Sequence, residues 1–238
     1  MENLIVANWK MNPNSQKEAK EIFDAIRDGS RGINAEVVVC PPSVYLYASG
    51  FGEGVIAMGA QNIYFEDKGA FTGEISAGML KDLGIEYVIV GHSERRKYFG
   101  ETDEVVNKKI KKALEVGLKV IFCIGETAEE RDAGEKEEVL QGQVREGLKD
   151  VVDISNVSVA YEPVWAIGTG KNCGIEETKA SIDFIRQFLK KDTKILYGGS
   201  VKSENSGSYI KEAGANGLLV GGASLNAEEF VKIIKSAE

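Results

Sequence analysis

Eight short runs of apolar and mostly β-branched residues recur along this 238-residue chain, and they constrain its fold more than any other feature. Most of the runs are continuous rather than alternating, which is typical of parallel strands that are covered on both faces. The runs cover residues 4–8, 36–40, 55–61, 87–91, 119–125, 157–162, 194–199 and 217–222. Charged segments with helical periodicity follow most of them, so the sequence predicts an α/β fold with a parallel sheet.

Eight units of strand and helix, at a mean period of about 30 residues, match the size of a (β/α)8 barrel. Neither a linker nor a low-complexity segment interrupts them. An open doubly wound sheet is the alternative, but such sheets more often contain fewer strands. We therefore predict one domain over residues 1–238, an eight-stranded parallel barrel ringed by helices.

Three of the segments between the predicted strands allow specific predictions. Residues 127–150 read as helical and open with Thr127 and Glu130 in the spacing of a capping box. The segment after the second strand is short, so its helix is expected to be stunted. Residues 175–192 predict a helix with one apolar face formed by Ile182, Ile185, Phe188 and Leu189.

The net charge of the chain limits the classes of partner that it could bind. A formal net charge of −8 counts against nucleic acid or an anionic membrane surface, since either favours a basic face. A small anionic substrate remains compatible, because a local site can be positive on an acidic protein. No apolar run approaches the length of a membrane span, and the first residues lead directly into a strand.

The cysteines indicate the cellular compartment. Cys40, Cys123 and Cys173 are widely spaced and form no CxxC pair. Two of them lie in apolar strand-like runs, where buried free thiols are the usual finding. Free thiols are typical of a reducing compartment. We therefore expect a cytoplasmic protein.

Polar residues follow the first and fourth strands, at the barrel end where the active sites of such barrels lie. Asn8 and Lys10 leave the first strand on the same side, either as a cationic, hydrogen-bonding pair or as solvated loop residues. His92 is the only histidine in the chain, which alone is weak evidence of function. Strand periodicity aligns it with Val88 and Val90, so it is predicted to continue a buried face into the barrel mouth.

The sixth strand brings a carboxylate to the same mouth. Glu162 shares a face with the small residues Ser158 and Ala160. The following segment, residues 163–171, is largely apolar and contains Gly168 and Gly170, although loops are usually polar. This composition favours a lid that excludes water on closing; a loop packed permanently against the barrel is the alternative.

Paired glycines end the seventh and eighth strands, at residues 198–199 and 221–222. Each pair is predicted to lead into a helix, so that bare backbone N–H groups can approach an anion, with Ser200 as a further donor. Phosphate binding at these two strand ends recurs in such barrels. The signatures of nucleotide-binding loops, metal clusters and a serine nucleophile elbow are missing from the sequence.

A carboxylate base, an imidazole, a lysine, a lid and a phosphate cradle suit proton abstraction next to the carbonyl of a small phosphorylated substrate. The motifs that carry them are NWKMN (8–12), GAQN (59–62), GAFTGE (69–74), GHSERR (91–96), YEPVWAIGTGK (161–171), YGGSV (197–201) and VGGASL (220–225). In this order, and from end to end, the sequence resembles the triosephosphate isomerase family.

The resemblance implies interconversion of dihydroxyacetone phosphate and D-glyceraldehyde 3-phosphate, in glycolysis and gluconeogenesis, with no cofactor and no metal. It implies that Glu162 is the base and that His92 is a neutral electrophile. Lys10 would supply positive charge, Asn8 would orient the substrate, and Glu94 would support the electrophile and the lysine. The matching phosphate-binding positions are Gly168, Ser200, Gly221 and Gly222.

The resemblance also implies a homodimer, in which loop 59–74 inserts into a partner with Thr72 near its tip. Residues Asn172 and Cys173 depart from the hinge that family members commonly have after the lid. Two other functions are compatible with the sequence. One is a different barrel enzyme that acts on a phosphorylated sugar; the other is a non-catalytic barrel that serves as a binding protein.

Overall fold

The chain folds into a closed barrel of eight parallel strands. In this computed structural model the described residues are 2–47, 56–167 and 172–238. The strands are β1 Asn3–Asn8, β2 Ala35–Cys40, β3 Ile56–Ala60, β4 Tyr87–Val90, β5 Lys119–Ile124, β6 Val157–Tyr161, β7 Ile195–Tyr197 and β8 Gly217–Val220. Each strand pairs with the next in parallel, and β1 also pairs with β8. The predicted (β/α)8 barrel is therefore confirmed, and the open sheet is excluded.

Helices follow the strands around the outside. Across the three described ranges the α-helices are α1 Gln16–Gly29, α2 Ala77–Asp82, α3 Ser93–Phe99, α4 Asp103–Glu115, α5 Ala128–Asp132, α6 Lys136–Gly147, α7 Ile175–Arg186, α8 Ser203–Lys211 and α9 Ala227–Ser236. Single 3-10 turns form at Ser43–Tyr45, Val164–Ala166 and Gly222–Leu225. The turn at Ser43–Tyr45 is the only helical piece in the described part of the segment after β2, as its short length predicts.

The segment after β5 differs from its prediction. Thr127 and Glu130 form the expected capping box at the start of α5. The segment is not one helix to residue 150, because the helical conformation is interrupted between α5 and α6. Gly134 lies in the break with φ +78°, a left-handed conformation that ends helices and that glycine adopts without steric cost.

The apolar face of α7 is also shorter than predicted. Ile182 and Ile185 are buried as expected, but the helix ends at Arg186. The next residues form tighter i→i+3 hydrogen bonds, and Phe188 N–H donates to the Ile185 carbonyl at 3.1 Å. Because a tighter turn rotates residues off the helical face, Phe188 is 37% exposed and packs edge-on against Phe184 rather than into the core.

The core has two layers separated by the barrel wall. A layer made only of strand residues fills the barrel interior, and a larger layer packs the strands against the helices. The interior layer contains Leu4, Val6, Val38, Cys40, Tyr87, Ile89, Ile121, Cys123, Ala160, Leu196 and Leu219. The thiols of Cys40 and Cys123 are free and buried there, as predicted, and Cys173 is free and buried in the outer layer.

Candidate active site

A cavity of about 630 Å³ opens at the carboxyl ends of the strands, where the sequence places the candidate residues. Those that line it are Asn8, Lys10, His92, Glu162, Ser200, Gly221 and Gly222. Glu94 lines an adjoining cavity of about 460 Å³ and contacts Lys10. Gly168 lies outside the described residues. Residues that are far apart in the sequence therefore meet at one end of the barrel.

Lys10 is fixed in place by its neighbours. Its ammonium group pairs with the Glu94 carboxylate at 2.6 Å, and its N–H donates to Asn8 Oδ1 at 3.1 Å. The Lys10 backbone has φ +54°, which is uncommon for a residue with a side chain. Gln61 Nε2 donates to the Lys10 carbonyl at 2.8 Å and so holds this conformation. Asn8 and Lys10 are thus not freely solvated loop residues.

His92 reaches the mouth by a route that strand alternation does not predict. Val88 and Val90 belong to the layer that faces the helices, not to the barrel interior. Simple alternation would direct His92 outward with them. Gly91 has φ +75°, and this left-handed residue turns the chain so that the imidazole faces Glu162. The predicted location of His92 is confirmed, but the periodicity argument for it is wrong.

The two nitrogens of His92 have different partners. Nδ1 accepts a hydrogen bond from the Glu94 N–H at 3.2 Å, and Nε2 lies 3.0 Å from Glu162 Oε1. A nitrogen that accepts carries no proton, so this geometry favours a neutral imidazole that donates through Nε2. Burial lowers the pKa of His92, but the Glu162 carboxylate outweighs burial and raises it. The charge of Glu162 thus favours the imidazolium, whereas the Glu94 N–H opposes it.

Glu162 is buried directly after β6, on the interior face that Ala160 shares, as predicted. Its Oε2 accepts from the Ser93 N–H at 3.0 Å. Burial alone would raise the pKa of this carboxyl, but His92, the Ser93 N–H and Lys10 together lower it. Glu162 is therefore ionised at neutral pH, which is the form that a general base requires.

The phosphate candidates Ser200, Gly221 and Gly222 line the same cavity. Gly222 opens the 3-10 turn after β8, as predicted, and a Cβ at Gly221 would lie 3.3 Å from Lys10 Cε. Ser200 Oγ donates to the Ala166 carbonyl at 2.7 Å. After β7 the chain does not lead directly into a helix, because α8 begins only at Ser203.

At both glycine positions after β7, a side chain would clash with neighbouring atoms. A Cβ at Gly198 would lie 2.9 Å from Glu162 Cγ, and one at Gly199 would lie 2.2 Å from Tyr197 Oη. Protein atoms at such distances must move. Gly198 therefore leaves room for the Glu162 side chain, a role that was not predicted from the sequence.

Glu126 is a further buried carboxylate near the strand ends that was not predicted from the sequence. This carboxylate is fully buried two residues after β5, and it accepts from Trp165 Nε1 at 2.8 Å and Tyr161 Oη at 3.1 Å. Burial raises its pKa. A carboxylate directly after a buried strand was the signal that could have revealed it. Through Trp165, Glu126 anchors the first part of the apolar segment after β6.

The predicted lid, residues 163–171, is described only in its first part, together with the residues that follow it. Val164–Ala166 form a 3-10 turn in the first part, and residues 168–171 lie outside the described residues. After the lid, Cys173 is buried, and its carbonyl accepts from Tyr209 Oη at 2.8 Å. Closure of a lid thus stays a prediction.

The described residues contain neither a group of metal ligands nor a helix that could span a membrane. Among them, no three or more His, Cys, Asp and Glu side chains come together in a way that could hold a metal ion. Over the same ranges, no helix combines the length and the apolar character that crossing a membrane requires.

Comparison with known proteins identifies the family. The family model described as Triosephosphate isomerase matches residues 3–237. The triosephosphate isomerase of Alkaliphilus oremlandii (strain OhILAs) is 47% identical over 245 residues, with 97% of this chain and 98% of the relative covered. That of Prosthecochloris aestuarii (strain DSM 271 / SK 413) is 48% identical, with 99% and 98% covered. That of Aquifex aeolicus (strain VF5) is 44% identical, with 99% and 100% covered. The chain therefore belongs to the triosephosphate isomerase family.

Proposed function

We propose that this protein interconverts dihydroxyacetone phosphate and D-glyceraldehyde 3-phosphate by proton transfer through an enediolate. One observation carries the proposal: the Glu162 carboxylate faces His92 Nε2 at 3.0 Å, with the Lys10 ammonium group lining the same cavity. A base, a hydrogen-bond donor and a positive charge thus converge on one site. Family membership and 44–48% identity to named isomerases support the same activity.

The side chains account for each proton. Glu162 takes a proton from the carbon next to the substrate carbonyl, and the electron pair left behind forms the enediolate. His92 transfers its Nε2 proton to the oxygen that becomes negative and regains a proton from the neighbouring hydroxyl, so that the hydroxyl and the carbonyl exchange places. Lys10 stabilises the charge and Asn8 orients the substrate. The protonated Glu162 then returns a proton to the neighbouring carbon. The carbonyl has thereby moved by one carbon, with no net redox change.

Substrate binding would strengthen the base. The hydrogen bond and charge of His92 help to hold the pKa of Glu162 below its ordinary value, while burial opposes them. A substrate between the two side chains separates them and leaves burial in place, so the pKa of Glu162 rises. We infer that Glu162 gains affinity for the substrate proton only once the substrate is bound.

The anionic end of the substrate has a suitable site on this acidic protein. Ser200, Gly221 and Gly222 line the cavity together with Lys10. We propose that their backbone N–H groups and the Ser200 hydroxyl bind the phosphate, with Gly168 as a further contact. The lysine supplies a local positive charge despite the overall charge of −8.

An assay of the purified protein tests the function. D-Glyceraldehyde 3-phosphate is supplied, and dihydroxyacetone phosphate is detected by a coupled NADH-dependent reduction, with and without a chelator. We expect conversion at the same rate in both conditions. An absence of conversion would overturn the proposed isomerase activity. A loss of activity with the chelator that added metal restores would show that the proposed chemistry is incomplete.

We further propose that the protein is a homodimer formed through loop 59–74. The loop is braced by Tyr64, whose ring stacks on Phe65 at 4.3 Å, whereas residues 66–74 are exposed. The adjoining 460 Å³ cavity is bordered by the exposed side chains of Met11 and Phe99. A molecule that carries both a protruding loop and an apolar-rimmed groove can pair with a second copy through two equal contacts.

We propose the cytoplasm as the location of the protein. The free, buried thiols of Cys40, Cys123 and Cys173 support a reducing compartment. A triose phosphate substrate is also a metabolite of that kind of compartment. Reaction of the denatured protein from cell extract with a thiol reagent should detect all three cysteines as free thiols.

A further inference from the structure

Gly125, the residue after β5, is held by a single side chain of helix α6. Gln143 Oε1 accepts from the Gly125 N–H at 2.8 Å, and Gln143 Nε2 donates to the Gly125 carbonyl at 3.2 Å. One amide group therefore pairs with both backbone groups of one residue. A neighbouring strand would normally supply that pairing.

The neighbours of Gly125 pair with the segment that carries the proposed base. Glu162 N–H donates to the Ile124 carbonyl at 2.7 Å, and Val164 N–H donates to the Glu126 carbonyl at 3.1 Å. Backbone groups point to alternate sides along a strand, so those of Gly125 point away from β6. Gly125 thus lies between Ile124 and Glu126, the two residues whose carbonyls accept from the Glu162 and Val164 N–H groups.

On the other side of Gly125 lies β4, which is too short to reach it. The register between β4 and β5 ends with the pair Val90 and Phe122, three residues before Gly125. The Gln143 amide pairs with the Gly125 backbone groups that a longer β4 would otherwise bind. Without it, the Gly125 N–H and carbonyl would lose partners that buried backbone groups require.

Gly125 also touches Glu162 directly. A Cβ on Gly125 would lie 1.7 Å from the Glu162 carbonyl oxygen, and 2.6 Å from its carbonyl carbon. The two backbones are therefore in close packing contact, and a shift of one displaces the other. Displacement of about 1 Å at a reacting group can cost about a hundredfold in rate.

We propose that Gln143 is a positioning residue for the base: its amide fixes Gly125, and Gly125 fixes the backbone from which the Glu162 carboxylate extends. This inference rests on the proposed role of Glu162 in isomerisation. Gln143 lies on an outer helix and does not line the 630 Å³ cavity. The contacts through which it would act on the reaction are its two hydrogen bonds to Gly125.

Two leucine variants on the same helix test the proposal. Gln143→Leu removes the amide and keeps a similar volume, whereas Gln141→Leu changes an exposed glutamine two residues away. We expect Gln143→Leu to lower kcat about tenfold or more, with KM and the inhibition constant of inorganic phosphate changed less than about twofold. Gln141→Leu should behave like the wild type. A wild-type kcat in folded Gln143→Leu would overturn the proposal.

Gln143→Glu provides a readout that general destabilisation would not produce. Its carboxylate can accept from the Gly125 N–H but cannot donate to the Gly125 carbonyl, whereas its protonated carboxyl can do both. The ratio of its kcat to that of the wild type should therefore rise as the pH falls. This variant also serves if Gln143→Leu does not fold, and a ratio independent of pH would contradict the proposal.

The two hypotheses fail in different ways. A wild-type protein without isomerase activity would refute the proposed function itself. An active wild type, an inactive Glu162→Gln variant and a fully active Gln143→Leu variant would refute only the positioning role.

Discussion

At the scale of single residues, consecutive backbone amides at the start of α3 orient the two proposed reacting groups. Ser93 N–H binds the Glu162 carboxylate at 3.0 Å, and Glu94 N–H binds His92 Nδ1 at 3.2 Å. One short stretch of backbone thus positions both the base and the electrophile. Backbone amides do not titrate, so this arrangement holds as long as Glu162 is ionised and His92 Nδ1 carries no proton.

Glu162→Gln removes the proposed base and keeps its size. We expect kcat to fall by roughly 10²–10⁴-fold, because the amide cannot accept the substrate proton. Competitive inhibition by inorganic phosphate should stay within about twofold of the wild type, since Ser200, Gly221 and Gly222 are untouched. Steady-state kinetics measure both. Near-wild-type turnover would exclude Glu162 as the base.

His92 is the chain's only histidine, so its titration is observable as one imidazole signal by NMR. In the wild type the Glu162 carboxylate raises the pKa of His92 against the effect of burial. In Glu162→Gln burial and the Lys10 charge still lower the pKa of His92, and only the Glu94 carboxylate still raises it. We expect the pKa to fall in the variant, and an unchanged or higher value would contradict the assigned contacts.

At the scale of elements, the strands could be predicted from sequence more fully than their connections. Continuous apolar runs locate all eight strands to within two residues at either end, because a strand covered on both faces excludes polar residues. The break at Gly134 was missed, since one glycine within a helical pattern does not by itself require a break. The turn at Gly91 was missed too, because a left-handed φ changes a side chain's direction without changing the apolar pattern.

The candidate site could be predicted as a set of strand-end residues, but not as a set of contacts. Asn8, Lys10, His92 and Glu162 meet because the barrel gathers its strand ends. The Ser93 N–H and the Gln143 amide could not be found in this way. One is backbone and the other lies on a helix, so neither has a signal at a strand end.

The amino end of the barrel carries a separate ionic cluster centred on Glu36. Its carboxylate accepts from Tyr87 Oη and from the ammonium groups of Lys119 at 3.0 Å and Lys194 at 2.9 Å. Burial opposes ionisation, but these three donors prevail and lower the pKa of Glu36 to about 2, from 4.5. A lowered pKa means that the cluster stabilises the folded state above pH 4.5 and loses that contribution as pH falls towards 2.

Glu36→Gln tests this cluster. Near pH 7 we expect the free energy of unfolding to decrease by about 1–3 kcal/mol, because two lysines lose a charged partner. The difference from the wild type should shrink between about pH 5 and pH 2, as the wild-type carboxyl is protonated. Urea titrations at several pH values measure it, with the exposed Glu212→Gln as the control. A difference that is constant over this range would contradict the assignment.

At the scale of the whole molecule, closure of the barrel joins the two ends of the chain. β1 pairs with β8, and Asn3 Nδ2 donates to the Ala237 carbonyl at 2.8 Å. We propose on this ground that residues 1–238 form one domain. Thermal unfolding of the protein should then show a single cooperative transition.

The proposed dimer is tested on loop 59–74. Thr72→Arg places a charge near the exposed tip, where insertion into an apolar-rimmed groove would bury it. We expect sedimentation velocity to show a shift from dimer to monomer, and turnover per chain to fall because Lys10 borders the same groove. Val152→Arg is the control, since Val152 is 94% exposed and does not line the groove. A dimer unaffected by Thr72→Arg would exclude this loop as the interface.

The central claim is that Glu162 moves a proton between neighbouring carbons of a triose phosphate. Proton NMR of D-glyceraldehyde 3-phosphate with the wild-type protein in D₂O tests it most directly. We predict that dihydroxyacetone phosphate forms and that part of it carries deuterium on the carbon that received the proton, because a proton held by a carboxyl group exchanges with solvent. No formation of dihydroxyacetone phosphate would contradict the account.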